Sequence, residues 1–545
     1  MTETIITERG LPCTLRDGTI LYANVYRPKE SGRFPVLLTR LPYNKDLTNY
    51  SHRYTDPIQM AENGYVVIIQ DVRGRFASEG VFKPFIHEAE DGYDSVEWAA
   101  DLPYSNGKVG MFGLSYYGFT QVYAAKEQPP SLKATFPAFT GNDVSRGMSS
   151  KPGKLDLGKA QTWFLDSVAP DFLYRIGYKD AWKSLKQDLE RIFEWHTYAP
   201  VQEWPPTAKY PELHEVFKSY ITGSLTEFMP NPLPFIKVPG FHMAGWFDCF
   251  LDETITNYTE LSNSNYTQKL IIGPWGHGTF SSYFGDRFFG LDASMTSKDI
   301  TDLHLEWFDH WLKEKESDMP EVTYFTMGTN EWKKTSRWPL PETEYTPLYL
   351  DKNSSLSWSK PSERIKDSFK YDPAHPMPTM GGRTLFFEGV NTGPLAQNKV
   401  EKREDHLLYT SAPLREDVEV TGPVNLKLTA ISEAKDTDFT AVLTEVLPDG
   451  TSIYITDGIT RTSTKTGDAS ERFKTYTISL SSTSIYIKEG SSLRIRISSS
   501  SFPQYDVNLN TEETMITSDA SVKTTQTVHL AESKLILPLV PTSRL

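Results

Sequence analysis

A serine, an aspartate and a histidine, each in or beside a glycine-bearing loop, follow one another along this chain of 545 residues. The serine lies in Gly110-Met-Phe-Gly-Leu-Ser-Tyr-Tyr-Gly118, so Gly113 precedes Ser115 closely and Gly118 follows it. Lys108, Val109 and Met111-Phe112 read as a short apolar strand, and Phe119 to Lys126 reads as a helix. A serine on such a hinge is forced into a tight turn that lifts its hydroxyl clear of the sheet, and glycines keep Cβ atoms out of the crowded space. The helix start behind it offers backbone N–H groups to a developing anion. These are the requirements of a nucleophile elbow. The competing reading is a glycine-rich strand-to-helix turn with an ordinary serine.

A nucleophilic serine needs a base and a group that orients the base. In α/β-hydrolase order the acid follows the serine and the histidine follows the acid. Two predicted strand ends meet that demand. Gly245-Trp-Phe-Asp248 follows the strand 238–244, and Gly273-Pro-Trp-Gly-His277 follows the strand 269–272. His277 would take the proton from Ser115 and return it to the leaving group, while Asp248 would fix the tautomer of His277. Of the other histidines, His87, His214, His304 and His310 sit in helical, mostly polar settings and read as structural or surface residues. His242, inside the strand before Asp248, is the competitor, although a strand-interior histidine is more often packed. Asp252 and Glu253 compete with Asp248 but fall at the start of a following helix, where carboxylates favour the N-terminus. Cys249 has no evident base and reads as a small buried hydrophobe.

Acyl transfer also needs donors for the tetrahedral oxyanion. The elbow supplies the backbone N–H of Tyr116. The second donor should come from the loop Arg40-Leu-Pro-Tyr43-Asn-Lys45, which has no run of glycines to offer more backbone N–H groups. The Tyr43 hydroxyl is a candidate there. From spacing alone, an aromatic packed after a proline is the favoured reading of Tyr43.

The elements that must position these groups read as an α/β pattern. A hairpin spans 11–27 around Asp17-Gly18. Pro35–Thr39 and Tyr65–Gln70 are continuous apolar runs suited to strands buried on both faces. Helices are expected at Thr55–Asn63, Glu88–Ala100 and Asp302–Lys313, and a strand at Ala134–Phe139. Residues 155–230 carry helical periodicity and many aromatics, among them Trp163, Phe164, Phe172, Trp182, Phe193 and Trp195, and read as an all-helical insertion. Beyond Pro320 the helices vanish. Strands are expected at Val322–Tyr324, Leu348–Leu350, Thr384–Phe387, Leu407–Tyr409, Val424–Leu428, Thr440–Val446, Ser452–Ile455, Phe473–Leu480, Ser492–Ser498 and Thr525–His529. Short strands with turn signals suggest a β-sandwich of jelly-roll type. The Ser/Thr-rich stretches Thr460–Ser470 and Ser498–Ser501 read as solvated loops.

The length calls for more than one domain. A net charge of −14 argues against nucleic acid or an anionic membrane as the main partner. Two cysteines, Cys13 and Cys249, supply no disulfide framework and suit a reducing cytoplasm. Residues 1–9 lack the basic head and apolar core of a signal peptide. No run approaches the ~20 apolar residues of a membrane span. Oligomeric state stays open, a homo-oligomer included.

Six motifs in order carry a family resemblance: Leu41-Pro-Tyr-Asn-Lys45, Asp71-Val-Arg-Gly-Arg75, Ser78-Glu-Gly80, Gly113-Leu-Ser-Tyr-Tyr-Gly118, Gly245-Trp-Phe-Asp248 and Gly273-Pro-Trp-Gly-His277. They resemble the CocE/NonD family, which includes cocaine esterase, α-amino-acid ester hydrolases and X-Pro dipeptidyl-peptidases. Val420-Thr-Gly-Pro-Val424, Asp436-Thr-Asp-Phe439 and Leu447-Pro-Asp-Gly450 resemble pieces of that family's β-sandwich. The resemblance implies an α/β-hydrolase domain (1–144 and 237–317) with an inserted helical cap (145–236), followed by a jelly roll (318–545). It implies a triad of Ser115, Asp248 and His277, with the Tyr43 hydroxyl beside the Tyr116 N–H in the oxyanion hole. The elbow departs from G-x-S-x-G, with Tyr117 in place of the second glycine, but that spacing is the family's own. Thr444-Glu445-Val446 departs from the family's usual Asp before Val, in a sandwich strand.

The expected activity is that of a serine hydrolase opening a carboxylic ester, less readily an amide, through an acyl-enzyme with no metal or cofactor. Its partner is a small-molecule acyl ester or amide. Trp163, Phe164 and Trp246 are candidates for an apolar substrate pocket; the alternative is that they are core. Competing readings are an X-Pro dipeptidyl-peptidase or an α-amino-acid ester hydrolase or acylase, either of which needs an anionic subsite for a substrate ammonium, and a non-catalytic protein that binds through the jelly roll.

Overall fold

The computed structural model describes residues 4–52, 54–144, 154–224, 229–385, 391–463 and 473–541. The apolar runs read from the sequence become the middle of one sheet. Its first eight strands are β1 (Ile5–Thr14), β2 (Ile20–Pro28), β3 (Phe34–Leu41), β4 (Val66–Asp71), β5 (Ser105–Leu114), β6 (Leu132–Ala138), β7 (Gly240–Gly245) and β8 (Gln268–Gly273). They lie in the order β1-β2-β4-β3-β5-β6-β7-β8, continued by Val322–Thr326 and Glu331–Thr335. From β4 through β8 to Val322–Thr326 every pairing is parallel. Every residue of β4 and all but the first of β3 are buried, as a sheet covered on both faces requires. The helices Glu88–Ala100, Tyr116–Lys126, Leu251–Leu261 and Ser297–Lys313 provide the cover.

Several elements differ in extent from the sequence reading. The first strand begins at Ile5, because β1 continues through an irregularity between Glu8 and Leu11, where Gly10 adopts φ 66°. The helix expected at Thr55–Asn63 runs Pro57–Glu62, since the Asp56 carboxylate accepts from the N–H groups of Ile58 and Gln59 and caps it. The last helix starts at Ser297, where Thr296 and Asp299 form a reciprocal capping box. Among the described residues between β6 and β7 the regular elements are helical, in short pieces from Leu157–Trp163 to Leu233–Phe235.

Val322–Tyr324, expected in the second sheet, instead pairs in parallel with β8 and extends the first. The second sheet has eleven strands among the described residues. It includes Lys366–Tyr371 and Lys534–Val540, which sequence reading missed. Lys534–Val540 pairs with both Glu344–Asp351 and Val418–Ser432. Thr384 lies in irregular chain and Phe387 lies outside the described residues. Thr460 to Ser463 complete the strand Ser452–Ser463, while 464–470 lie outside the described residues. Ser498–Ser501 is not a solvated loop. Ser499 and Ser500 are buried, and the Ser498 hydroxyl lies 2.7 Å from that of Thr440.

The two sheets share a core that joins Trp246 and Phe247 to residues such as Trp338, Tyr454 and Ile485. The C-terminal part also braces the inserted helices. Leu155 exchanges backbone and side-chain bonds with Asp506, and the Gly158 N–H donates to the Pro503 carbonyl.

Candidate active site

β5 ends at Leu114, and Ser115 turns the chain into the helix Tyr116–Lys126. Its backbone sits at φ 61°, ψ −126°, a region a non-glycine residue occupies only when its surroundings hold it there. They do. The Ser115 N–H donates to the Ala138 carbonyl at 2.9 Å, and the Thr140 hydroxyl donates to the Ser115 carbonyl at 2.9 Å. A Cβ on Gly113 would lie 2.5 Å from the Tyr117 ring, and one on Gly118 would lie 2.5 Å from Thr140 Cβ. Both positions therefore exclude side chains. The Tyr116 N–H is the first of its helix and has no partner within it by position.

Asp248 follows β7 and His277 follows β8, neighbouring parallel strands that pair Gly245 with Gly273. Parallel strands bring both loops, and the elbow after β5, to the same edge of the sheet. There the His277 Nδ1–H donates to Asp248 Oδ1 at 2.7 Å. Asp248 is fully buried, and its other oxygen accepts from the Phe250 N–H at 3.1 Å. This bond leaves the lone pair of His277 on Nε2. The rings of Phe250 and Phe139 lie 5.6 and 6.2 Å from the imidazole and hold its plane.

Tyr43 also comes to this edge. Trp163 Nε1–H donates to its hydroxyl oxygen at 2.9 Å, so the hydroxyl proton remains free to be donated elsewhere. The hydroxyl interacts with the Ser115 side chain, and burial raises its pKa well above the ordinary tyrosine value. The Tyr43 ring stacks on Tyr50 at 5.1 Å. The motif Asp71-Val-Arg-Gly-Arg75 explains how the loop is held. Asp71 Oδ1 accepts from the Lys45 N–H at 2.8 Å. The buried Arg75 guanidinium donates to the carbonyls of Pro42, Ser167 and Val168, tying the Tyr43 loop to the inserted helices.

The three candidate pocket residues separate. Trp163 stands at the site: its ring lies 6.1 Å from Tyr116 and 5.3 Å from Tyr220. It ends one helical segment, and the π-helical turn Phe164–Val168 follows directly. Phe164 is fully buried against Phe217 and Tyr220 and belongs to the core of the insertion. Trp246 is no pocket wall either. It is 2% exposed, donates to the Phe325 carbonyl and packs 5.6 Å from Trp338, where the two sheets meet.

The competitors are accounted for. His242 is buried, bonds Gln268 at 2.8 Å, and burial holds its pKa down at about 4. His304, expected in a polar setting, is fully buried, stacks 3.7 Å from Phe136 and donates to the Ile300 carbonyl. Asp252 accepts from the Ser481 hydroxyl. Glu253 is pushed up to about 8 by burial, with the Lys159 ammonium opposing. Burial, then the Asp248 charge, raises the Cys249 thiol well above its usual range. Its sulfur, Asp248 and His277 form the one group of ligand atoms within mutual reach of a metal ion among the described residues.

Sequence reading missed the groups that hold the site rather than act in it. Tyr116 donates its hydroxyl to Glu88, which is also bonded to the buried Arg40. Thr140 and Phe250 lay in plain loops, and Phe139 at the last position of an expected strand. Their one signal was position, directly after β6 and just past Asp248.

A family profile described as X-Pro dipeptidyl-peptidase (S15 family) matches residues 17–279, and one described as X-Pro dipeptidyl-peptidase C-terminal non-catalytic domain matches 315–535. The cocaine esterase of Rhodococcus sp. (strain MB1 Bresler) is 33% identical over 530 residues, covering 91% of each chain. The chain belongs to the CocE/NonD hydrolase family. It is an enzyme of the serine hydrolase class. Solved structures agree on the fold. An aminopeptidase from the marine sediment archaeon Thaumarchaeota archaeon superposes with a TM-score of 0.77 at 21% identity, covering 99% of this chain and 97% of its own. A CocE/NonD family hydrolase from Staphylococcus aureus gives 0.70 at 22% identity, covering 98% and 94%. Among the described residues no helix is long and apolar enough to cross a membrane.

Proposed function

We propose that this enzyme hydrolyses a carboxylic ester through an acyl-enzyme on Ser115. Ser115 Oγ attacks the acyl carbon while His277 Nε2 takes its proton. The oxyanion is received by the Tyr43 hydroxyl and the Tyr116 N–H. Collapse expels the alcohol, which His277 protonates, and water repeats the sequence to release the acid. Asp248 holds the His277 tautomer and stabilises its cation. The observation that carries this reading is the 2.7 Å His277–Asp248 bond on the sheet edge where Ser115 is held in its strained turn. The similarity to an esterase across 91% of the chain favours ester over amide. In this reading the C-terminal sheet folds as a jelly roll and the enzyme works in the cytoplasm. The proposed boundary at 317/318 falls close to residue 315, where the C-terminal profile match begins, although the first strand after it, Val322–Thr326, pairs with β8.

A specific observation favours a second substrate class, α-amino-acid esters. Asp156 Oδ1 and Glu253 Oε2 are buried without hydrogen-bond partners. Asp156 pairs with Lys159, and Lys159 also interacts with Glu253 and lies over the Phe250 ring. A substrate ammonium would supply the missing partner and favour the ionised form of Glu253, which burial otherwise holds up at about 8. The test is steady-state kinetics on matched p-nitrophenyl esters of phenylalanine and 3-phenylpropionate, with an X-Pro p-nitroanilide beside them. Turnover of the plain ester, lost in Ser115→Ala, is expected. A preference for the amino ester that Glu253→Gln abolishes would select the second class. Turnover of the anilide alone would overturn the esterase reading.

A further inference from the structure

Cys249 stands next in sequence to Asp248, and its sulfur has a setting the proposed reaction does not use. One ligand atom each from Asp248, Cys249 and His277 lies within 4.8 Å of the others. In a tetrahedral zinc site, bond lengths of about 2.3 Å to sulfur and 2.0–2.2 Å to nitrogen and oxygen put the ligand atoms roughly 3.3–3.8 Å apart. His277 Nδ1 and Asp248 Oδ1 stand 2.7 Å apart, so an ion entering between them must spread that pair to roughly 3.4 Å. The three groups also form a mixed thiolate, imidazole and carboxylate set, which suits zinc and its congeners rather than magnesium or calcium. Asp248 is fully buried and the His277 side chain is 11% exposed, so water competes little for the ion. Asp156 adds negative charge near the sulfur, and one cation, Lys159, is paired with it.

We infer that Cys249, His277 and Asp248 form an inhibitory site for a soft divalent cation such as Zn²⁺. The ion takes the place of the proton shared by His277 and Asp248. The Nδ1 proton shifts to Nε2, the thiol proton leaves to solvent, and no electron moves. His277 stays neutral but carries its proton on the nitrogen that would have to accept one from Ser115. The inhibition therefore rests on the triad reading above; the binding does not.

The experiment is a titration of the full-length protein with Co²⁺, followed by near-ultraviolet absorbance, and with Zn²⁺, followed by ester hydrolysis, for wild type, Cys249→Ala and Cys249→Ser. Wild type should develop a thiolate-to-cobalt charge-transfer band and lose activity. Cys249→Ala should lack the band, and its half-inhibitory Zn²⁺ concentration should rise at least ~10–100-fold, the cost of losing even an outer partner of a metal site. Cys249→Ser supplies the same comparison if the alanine variant does not fold. Cys13, the other cysteine, is fully buried in a separate cluster, so a band retained in both variants would overturn the assignment. A wild type without the band would overturn it whatever the variants do. A wild type with the band and no ester hydrolysis would leave the metal site standing and remove the triad reading.

Discussion

Replacing Tyr43 by phenylalanine removes one oxygen atom and tests the least obvious part of the chemistry. The Tyr43 hydroxyl accepts from Trp163 Nε1–H at 2.9 Å and is directed toward Ser115, so its one proton is the group that would meet the oxyanion. Loss of one such donor costs about 10²–10³ in kcat, or about 2.7–4 kcal/mol. The donor acts only when charge develops, so kcat and kcat/KM should fall together and KM should change little. Stability should change too. Trp163 Nε1–H would lose its acceptor beside a buried ring, a cost of about 1–3 kcal/mol. Stopped assays with p-nitrophenyl esters give the first quantity and urea denaturation the second. Trp163→Phe is the companion variant: it keeps the donor but frees the oxygen from its anchor, so it should lose less activity than Tyr43→Phe. A folded Tyr43→Phe with kcat within threefold of wild type would refute the argument, because the Tyr116 N–H alone would then be carrying the oxyanion.

Asp248→Asn should lower kcat by about 10⁴, by analogy with protease triads, with the tautomer of His277 no longer fixed; a tenfold loss would mean that Asp248 only packs. Glu88→Ala takes the carboxylate from the buried Arg40 guanidinium, which keeps Gln70, and from the Tyr116 hydroxyl, which keeps the Phe85 N–H, and should destabilise by about 3–5 kcal/mol in urea titrations. Burial holds His242 near 4, below its unfolded value of 6.5, so the unfolded chain binds the extra proton and the stabilising contribution is lost as pH falls through that window. From pH 7 to pH 5 this amounts to about 2 kcal/mol, so the advantage of wild type over His242→Gln in unfolding free energy should shrink by that amount. Gly118→Ala should lower both melting temperature and kcat, since its Cβ would meet Thr140, whose hydroxyl holds the Ser115 carbonyl; overpacking of this kind costs about 1–3 kcal/mol. An active Gly118→Ala with unchanged melting would show that the turn has room to relax.

The parallel half of the first sheet was legible because its strands are continuous apolar runs, and such runs have few other uses in a chain that alternates strand with helix. The edge strands were less so. Ile5–Thr14 alternates only loosely, and Val322–Thr326 looks like any short strand at the start of a β-rich stretch. Its partner, β8, is settled by packing and not by pattern. The serine, aspartate and histidine could be singled out because glycine-bearing turns at strand ends are scarce and their order is constrained. Distances between loops are not written in spacing, so the His277–Asp248 bond had to come from the structure. The pocket candidates show the limit most clearly. Trp163, Phe164 and Trp246 are all large aromatics near site motifs, but only Trp163 ends a helical segment at a π-turn that aims it at Tyr43. Trp246 faces the second sheet, because a strand's end residue takes whichever side the neighbouring layer leaves to be filled.

The acyl-enzyme on Ser115 is the claim on which the rest depends. The direct measurement is labelling with a fluorophosphonate probe followed by peptide mass mapping, with wild type, His277→Ala and Ser115→Ala in parallel with ester turnover. The predicted result is a single adduct on Ser115 in wild type, slowed in His277→Ala, with both label and turnover lost in Ser115→Ala. An adduct on another residue, or ester turnover that survives in a folded Ser115→Ala, would contradict it.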